Sequence, residues 1–174
     1  MMDYAYFAGG CFWCITPVFR EQKGVCDVIS GFSGGTEVNP KYRDVKAGLT
    51  GHRETICITF DPKQIDYDRL LDIFLWSVDP FDGNGQFIDR GRSYTLAIYY
   101  VDDTQKEAAL NHIAFLEQEN GKPAQIAVEP YTAFYQAEEY HQNYDLKNPI
   151  LFRKEWEESG REKWFADKND APVR

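Results

Sequence analysis

Several features of membrane proteins and nucleic-acid-binding proteins are missing from this sequence. No apolar run approaches the roughly 20 residues that cross a bilayer, and residues 1–10 lack the basic and apolar segments of a signal peptide. Lys and Arg number 19 against 28 Asp and Glu, which gives a formal net charge of −9. Because phosphate backbones and anionic lipid surfaces attract clustered positive charge, we expect neither nucleic acid nor a membrane as a partner. We place the protein in the cytoplasm.

The sequence is also poor in metal-ligand clusters. Four cysteines in 174 residues are too few for a disulfide-stapled secreted domain. Cys11 and Cys14 form a CxxC pair that could be half of a zinc site, but no second pair of Cys or His stands at ligand spacing. Cys26 and Cys57 lie alone in strand-like segments, where free cysteine is usually buried, and we interpret both as structural.

No repeat, low-complexity segment or linker divides the chain, so we predict one domain over 1–174, with a core over about 3–152 and a C-terminal tail over about 153–174. Hydrophobic periodicity predicts strands at residues 3–8, 25–32, 54–60, 94–101 and 125–128, and helices at 12–22, after a cap at Asp66, and from a cap at Thr104 to Gly121. This order predicts an α+β two-layer sandwich with a mainly antiparallel mixed sheet, packed helices, a ferredoxin-like core, long loops and an irregular tail.

The segment that most clearly indicates a reactive site is Gly9-Gly10-Cys11-Phe12-Trp13-Cys14, at a predicted strand-to-helix junction. Free N–H groups and the positive dipole end of a helix favour a thiolate, the nucleophilic form, at Cys11. Residues i and i+3 of a helical turn are neighbours, so Cys14 lies within reach of a disulfide with Cys11. A thioredoxin-like redox motif or a pair of ordinary buried cysteines has the same spacing, and both alternatives stay open at this point.

Gly10-Cys11-Phe12-Trp13 resembles the signature of the peptide-methionine (S)-S-oxide reductases, the A-type methionine sulfoxide reductases. Further blocks follow in the order expected of that family, from about Tyr6 to about Tyr144. They are Gly31-Phe32-Ser33-Gly34-Gly35, Asn39-Pro40-Lys41-Tyr42-Arg43-Asp44-Val45, Thr50-Gly51-His52-Arg53-Glu54, Asp61-Pro62, Asp89-Arg90-Gly91-Arg92-Ser93-Tyr94, Ala97-Ile98-Tyr99-Tyr100, Phe134-Tyr135 and Ala137-Glu138-Glu139-Tyr140-His141-Gln142.

The resemblance implies a single catalytic domain that reduces the S epimer of methionine sulfoxide, free or in proteins, as a monomer without metal or organic cofactor. Cys11 would attack the sulfoxide sulfur as the nucleophile. By the same resemblance, Phe12 and Trp13 form a pocket for the methyl group, and Asp89 and Tyr94 polarise the sulfoxide oxygen.

Two positions depart from the family's pattern in ways that affect the oxygen. The usual acid of the Asn-Pro block is Glu, and this chain has Asp44 there. We predict that Asp44 protonates the sulfoxide oxygen, provided that burial keeps it protonated, with Glu54 as the fallback acid. Phe32 stands where the resemblance places a second oxygen-binding Tyr, so one hydrogen-bond donor is missing from the predicted substrate-binding site.

Cys14 is a third departure, because many members carry Gly there and place recycling cysteines in a C-terminal tail. The tail of this chain has no cysteine. We therefore predict that Cys14 resolves the sulfenic acid of Cys11 to a disulfide, which thioredoxin or a similar dithiol protein reduces. Glu138, Tyr140 and His141 either shape the substrate groove or hold the C-terminal segment down. A redox-sensing or oxidised-Met-binding module of low turnover, and a general CxxC dithiol oxidoreductase, are the alternative functions.

Overall fold

The computed structural model describes residues 1–168 of the chain, which fold around a six-stranded sheet. The strands are β1 (Asp3–Gly9), β2 (Val25–Ser33), β3 (Arg53–Phe60), β4 (Gly85–Gln86), β5 (Asp89–Arg90), β6 (Leu96–Tyr100), β7 (Ile126–Pro130) and β8 (Tyr135–Gln136). The order in the sheet is β7-β6-β1-β3-β2-β8, while β4 and β5 form a small hairpin beside it. Neighbouring strands are antiparallel except β6 and β7, which are parallel.

Seven α-helices and two 3₁₀ turns connect these strands within the described residues. The helices are α1 (Phe12–Arg20), α2 (Tyr42–Lys46), α3 (Tyr67–Ser77), α4 (Asp103–Asn120), α5 (Tyr144–Lys147), α6 (Pro149–Glu158) and α7 (Arg161–Asp167), and the 3₁₀ turns are Arg92–Tyr94 and Glu139–His141. None of the helices in residues 1–168 is long and apolar enough to cross a membrane.

The segment from β1 to β6 has the predicted ferredoxin-like arrangement. Its order β1-α1-β2-β3-α3-β6, with sheet order β6-β1-β3-β2, confirms the α+β prediction. Phe7 on β1 contacts Phe19 on α1 and Phe74 on α3, with ring centroids 5.8 and 4.8 Å apart. Each of these rings is fully buried, and burying one stabilises the fold by about 1.5–3 kcal/mol. Both helices are therefore held on one face of the sheet, with the start of α1 at the end of β1.

The C-terminal region is helical, so the predicted irregular tail is wrong over residues 153–168. Trp156 on α6 and Phe165 on α7 stack with centroids 5.3 Å apart, and Phe165 also lies 4.6 Å from Trp76 on α3. Aromatic pairs of this kind hold a segment that is polar in overall composition. Residues 169–174 of the predicted tail lie outside the described part of the chain.

Three further local predictions are corrected. Tyr94 belongs to the 3₁₀ turn before β6, and α4 begins two residues earlier than a cap at Thr104 would allow, because the Asp102 carboxylate caps it. Cys57 is buried as expected, but Cys26 is exposed. Cys26 lies where the register of β2 shifts against β3, at the end of the strand, so no neighbouring element covers it.

The cap of α4 gives a direct test of this assignment. Asp102 Oδ1 accepts the backbone N–H of Gln105 at 2.8 Å. We expect Asp102→Ala to lower the free energy of unfolding by ~1 kcal/mol, the usual cost of losing a side-chain cap, as measured by urea denaturation. Thr104→Ala is the matched control and should have little effect. A larger loss from Thr104→Ala than from Asp102→Ala would contradict the placement.

Candidate active site

The chain turns sharply between β1 and α1, and this turn places the first cysteine at the helix start. Gly10 has φ +81°, and a Cβ there would lie 2.7 Å from Cβ of Gln86, so only glycine fits. Cys11 is the N-cap residue of α1, and its carbonyl accepts the N–H groups of Cys14 and Ile15. The predicted position of Cys11 at a helix N-terminus is therefore the observed one.

A buried carboxyl group lies directly beside this helix start. Glu54 on β3 is 1 % exposed, and its Oε2 accepts the backbone N–H of Phe12 at 3.0 Å. Burial, followed by the neighbouring Cys11 sulfur, raises the pKa of Glu54 well above its usual range. The shift favours the protonated, neutral form of the carboxyl group, and one of its oxygens is held by the backbone N–H.

The Cys11 sulfur is a thiol in the resting site, which corrects the predicted thiolate. A hydrogen bond with Cys14, together with burial, raises the pKa of Cys11 well above the usual value. The N–H of Phe12, which the sequence offered to the sulfur, is taken by Glu54. Desolvation therefore outweighs the helix N-terminus. The contact between the two thiols agrees with the predicted i, i+3 neighbourhood of Cys11 and Cys14.

Aromatic side chains cluster at the start of α1. The rings of Trp13 and Tyr144 stack with centroids 3.8 Å apart, and the centroids of the Phe12 and Tyr42 rings are 6.1 Å apart. The ring centroids of His141 and Tyr42 are 4.1 Å apart. These rings come from α1, α2, α5 and the second 3₁₀ turn, and they pack against one another in a cluster that we call the aromatic pocket: Phe12, Trp13, Tyr42, His141 and Tyr144.

His141 fixes the orientation of the tryptophan. The indole N–H of Trp13 donates to Nδ1 of His141 at 3.0 Å, which requires an unprotonated Nδ1. Burial lowers the pKa of His141 to about 4, so the ring is neutral. Glu138 fixes the backbone of Tyr42 in the same pocket, because its Oε1 accepts the N–H of Tyr42 at 3.1 Å. Tyr140 is 57 % exposed and stays at the rim.

Two tyrosine hydroxyls and an ion pair complete the surroundings of the sulfur. Burial, and after it the Glu54 carboxyl, raises the pKa of both Tyr42 and Tyr94, so both remain hydrogen-bond donors. Asp89 on β5 accepts a hydrogen bond from Nη2 of Arg161 at 3.1 Å. Asp89 and Tyr94 both interact electrostatically with Cys11. Their predicted role, to polarise the sulfoxide oxygen, stays a prediction.

Asp44 and Phe32 have environments that differ from those predicted. Asp44 lies in the first turn of α2, with a side chain that is 38 % exposed and 3.4 Å from the Arg43 guanidinium. The geometry therefore favours Glu54, the fallback, as the acid. Phe32 is fully buried, 5.8 Å from Phe12, and supports the pocket from beneath. Tyr42 supplies the hydroxyl that we expected to be missing at Phe32.

Three residues of the site were not predicted from the sequence. Tyr42 stands within one of the sequence blocks that carry the family resemblance, but we assigned no role to it. The signal for it in the sequence was its position just after Asn39-Pro40. Tyr144 carried no local signal beyond being aromatic. Arg161 lies in the segment that we interpreted as a tail, and a lone Arg in a polar stretch is usually solvated.

The fold and the site together define a class of protein. A ferredoxin-like α+β domain presents a cysteine at a helix start, a second thiol one turn later, a neutral buried carboxylic acid and an apolar pocket. These are the parts of an enzyme that uses a thiol as a nucleophile and then regenerates it. The molecule is a thiol-dependent oxidoreductase.

Comparison with known proteins gives the family. The family model described as peptide methionine sulfoxide reductase matches residues 3–172. A relative from Picrophilus torridus, peptide methionine sulfoxide reductase MsrA, is 46% identical over 151 residues, which are 86% of this chain and 85% of the relative. This chain belongs to the peptide methionine sulfoxide reductase family.

Solved structures agree with this assignment. Reduced Mxr1 from Saccharomyces cerevisiae is similar with a TM-score of 0.81 and 28% identity, over 86% of this chain and 87% of that chain. Mxr1 in complex with Trx2 is similar with a TM-score of 0.56 and 19% identity, over 82% of this chain and 84% of that chain, which shows a shared fold.

The buried histidine predicts a specific dependence of stability on pH. The folded-state pKa of His141, about 4, lies below the ordinary histidine value of 6.5. Below pH 6.5 His141 therefore binds a proton in the unfolded chain but not in the folded chain, which binds it only near pH 4. The free energy of unfolding falls over that interval as the pH is lowered. We expect His141→Gln to lose less stability over that interval than the wild type, measured by urea denaturation at each pH.

Tyr140→Phe is the control for this measurement, since Tyr140 lies against the His141 ring and its hydroxyl, whose pKa burial raises, does not titrate between pH 6.5 and 4. Its pH dependence should match that of the wild type. A wild-type profile that is flat between pH 6.5 and 4, or one that His141→Gln leaves unchanged, would show that His141 is not held neutral by the fold.

Proposed function

We propose that this enzyme reduces the S epimer of methionine sulfoxide to methionine, with Cys11 as the nucleophile and Glu54 as the acid. One observation carries the proposal: the buried, neutral carboxyl of Glu54 is held by the N–H of Phe12, the residue that directly follows the nucleophile. A sulfoxide oxygen must gain protons before the S–O bond breaks, so the reaction requires an acid close to the attacking sulfur.

Substrate binding follows from the shape of the site. The methyl group of the sulfoxide fits the aromatic pocket against Phe12 and Trp13, where apolar surface is shielded from water. The sulfoxide oxygen then points to the opposite, polar side, towards Glu54, Tyr42 and Tyr94. Hydrogen-bond donors fixed in advance stabilise charge that develops on this oxygen. The methyl group, the oxygen and the attacking Cys11 sulfur each have a fixed place around the sulfoxide sulfur. This arrangement supports selection of one sulfoxide epimer.

The chemical step moves protons between neutral groups. Glu54 donates its proton to the sulfoxide oxygen, and the Cys11 sulfur bonds to the sulfoxide sulfur while its own proton passes to the Glu54 carboxylate, which gives a hydroxysulfurane. The hydroxyl then moves from the substrate sulfur to the Cys11 sulfur as the S–S bond breaks, its electron pair stays on the substrate sulfur, and methionine leaves as the thioether beside a Cys11 sulfenic acid. Cys11 is oxidised and the substrate is reduced by the same two electrons, so no metal or organic cofactor is needed.

Cys14 is placed to complete the cycle. Its thiol contacts Cys11 from the next turn of α1 and can attack the sulfenic acid, which forms a disulfide and releases water. A dithiol protein of the thioredoxin type then reduces the disulfide. The yeast relative Mxr1 solved with Trx2 supports such a partner. All four cysteines are free thiols, and recycling by a dithiol supports a reducing compartment such as the cytoplasm.

The alternative of a binding module with little turnover rested on a weakened acid and a missing tyrosine. Glu54 supplies a buried carboxyl group with the full side-chain length of Glu. Burial, and after it the charge of Glu54, raises the pKa of the neighbouring Tyr42 and Tyr94, so both hydroxyls lie close to this carboxyl group. The general dithiol oxidoreductase requires an open CxxC pair, whereas Cys14 is 6 % exposed and the pocket in front of Cys11 is lined by aromatic rings. Both observations favour the sulfoxide reductase.

The choice of acid is tested by a pair of amide substitutions. Glu54→Gln keeps an oxygen for the Phe12 N–H but removes the proton donor, so we expect methionine release to slow by about 10²–10⁴-fold, the usual contribution of a general acid. The wild-type rate should also fall at high pH, as Glu54 loses its proton, and this decline should be absent in Glu54→Gln. Stopped-flow measurement of the first methionine released is the assay.

Asp44→Asn is the matched control for Glu54→Gln. It removes the carboxylate that the sequence suggested and should leave the rate nearly unchanged, because this group is exposed beside Arg43. If Asp44→Asn is the slow variant and Glu54→Gln is not, the acid is Asp44 and the proposal for Glu54 fails.

The roles of the two cysteines are tested by counting turnovers. Cys11→Ser should release no methionine with any reductant. Cys14→Ser should release one equivalent and then stop when thioredoxin is the reductant, because no disulfide can form. Cys26→Ser is the control and should cycle normally, since Cys26 is exposed at the start of β2, whereas Phe32 near the other end of that strand packs on Phe12 beside Cys11. Normal cycling of Cys14→Ser with thioredoxin would contradict the recycling role.

A further inference from the structure

The first residue of α7 places a buried cation behind the two cysteines. Arg161 is 3 % exposed, and its guanidinium lies 4.6 Å from the centre of the Phe87 ring. Its backbone N–H donates to Oγ of Ser159, which fixes the start of α7. A Cβ on Gly10 would lie in van der Waals contact with Nη2 of Arg161, at 3.7 Å, so the guanidinium lies beside the residue that precedes Cys11, and Arg161 lines one small cavity together with Cys14.

Burying a guanidinium is costly unless it is paired, and the groups that face Arg161 identify its partners. Asp89 accepts its hydrogen bond at 3.1 Å. Burial by itself lowers the pKa of Arg161, but the nearby Cys14, Cys11 and Asp89 raise it overall. The guanidinium therefore has one carboxylate partner and two thiols that become partners whenever they ionise.

The charged and titratable groups around the sulfurs come from most elements of the site. Asp89 raises the pKa of Cys11 and Arg161 lowers it. The other titratable groups that interact with Cys11 are Cys14 on α1, Tyr42 on α2, Glu54 on β3, Tyr94 in the first 3₁₀ turn and Tyr144 on α5. Each of these is neutral or becomes negative when it ionises, so Arg161 is the positive charge in this set.

Two steps of the catalytic cycle create a thiolate here. Cys14 must lose its proton to attack the sulfenic acid: the S–S bond forms, the S–O bond of Cys11 breaks, and the oxygen leaves as water. When a dithiol attacks the resulting disulfide, one of the two sulfurs leaves as a thiolate. Both thiolates form in a water-poor site, where an uncompensated negative charge is costly.

We propose that Arg161 is a positioning residue of this reaction, which holds Asp89 beside the site and stabilises the thiolate that Cys14 and Cys11 form during recycling. The C-terminal helix α7 is then a functional wall of the site. This inference rests on the proposed function, since it assigns a cation to the recycling half of the same reaction.

The test measures ionisation of each sulfur without substrate. In a Cys11→Ser background for Cys14, and a Cys14→Ser background for Cys11, iodoacetamide alkylation is followed against pH by mass spectrometry, which separates these sites from Cys26. Arg161→Gln should slow alkylation near pH 7 by about tenfold, the effect of a one-unit rise in thiol pKa. Arg161→Lys should restore most of the rate, because it keeps the charge.

Asp89→Asn keeps the proposal falsifiable if Arg161→Gln does not fold. Removing the negative neighbour should move the alkylation profile in the opposite direction, towards lower pH. Arg153→Gln, which removes an exposed cation of α6 paired with Glu157, is the matched control and should leave the profile unchanged. A merely structural Arg161 would lower the melting temperature of the Gln and Lys variants alike without shifting either profile.

Turnover separates this inference from the proposed function. With methionine sulfoxide and thioredoxin, Arg161→Gln should lower the steady-state kcat while the first equivalent of methionine is released at a rate closer to that of the wild type. If the wild type releases no methionine, the proposed function fails. If the wild type is active and Arg161→Gln shows unchanged alkylation profiles and unchanged recycling, only the role of Arg161 is overturned.

Discussion

The hydrogen bond from the Phe12 backbone N–H to the buried Glu54 carboxyl joins the start of α1 to the central strand β3, and the reacting groups take their positions from it. It orients one carboxyl oxygen and leaves the proton of the other free. It also uses the N–H that would otherwise favour ionisation of Cys11. The antiparallel pairing of Phe7 on β1 with Ile56 on β3 keeps both ends of this contact in register.

Around that contact, the molecule builds an apolar pocket whose polar atoms are paired. The indole of Trp13 is bonded to His141, and the backbone of Tyr42 is bonded to Glu138. An enclosure of this kind excludes water, which raises the pKa of Glu54 and strengthens every hydrogen bond made to a substrate oxygen. The hydrogen bond with Cys14, together with the same desolvation, raises the pKa of Cys11 and favours its thiol form.

The C-terminal helices extend this arrangement to the other side of the cysteines. Stacking of Trp156, Phe165 and Trp76 anchors α6 and α7 against α3, and the anchored α7 delivers Arg161 to Asp89. A region whose composition is mostly polar is thus ordered by a few aromatic residues, and it contributes a charge that the ferredoxin-like core by itself does not supply.

Local periodicity in the sequence determined five of the six strands of the main sheet, the helix start at Cys11 and the neighbourhood of Cys11 and Cys14, because each depends on spacing along one strand or one helical turn. Tertiary structure decided which carboxyl is buried beside Cys11 and which cation lies near the sulfurs. Glu54 lies 42 residues from Phe12, and Arg161 lies 72 residues from Asp89. The pKa of a group depends on what packs over it, and packing between distant segments leaves no mark on local spacing.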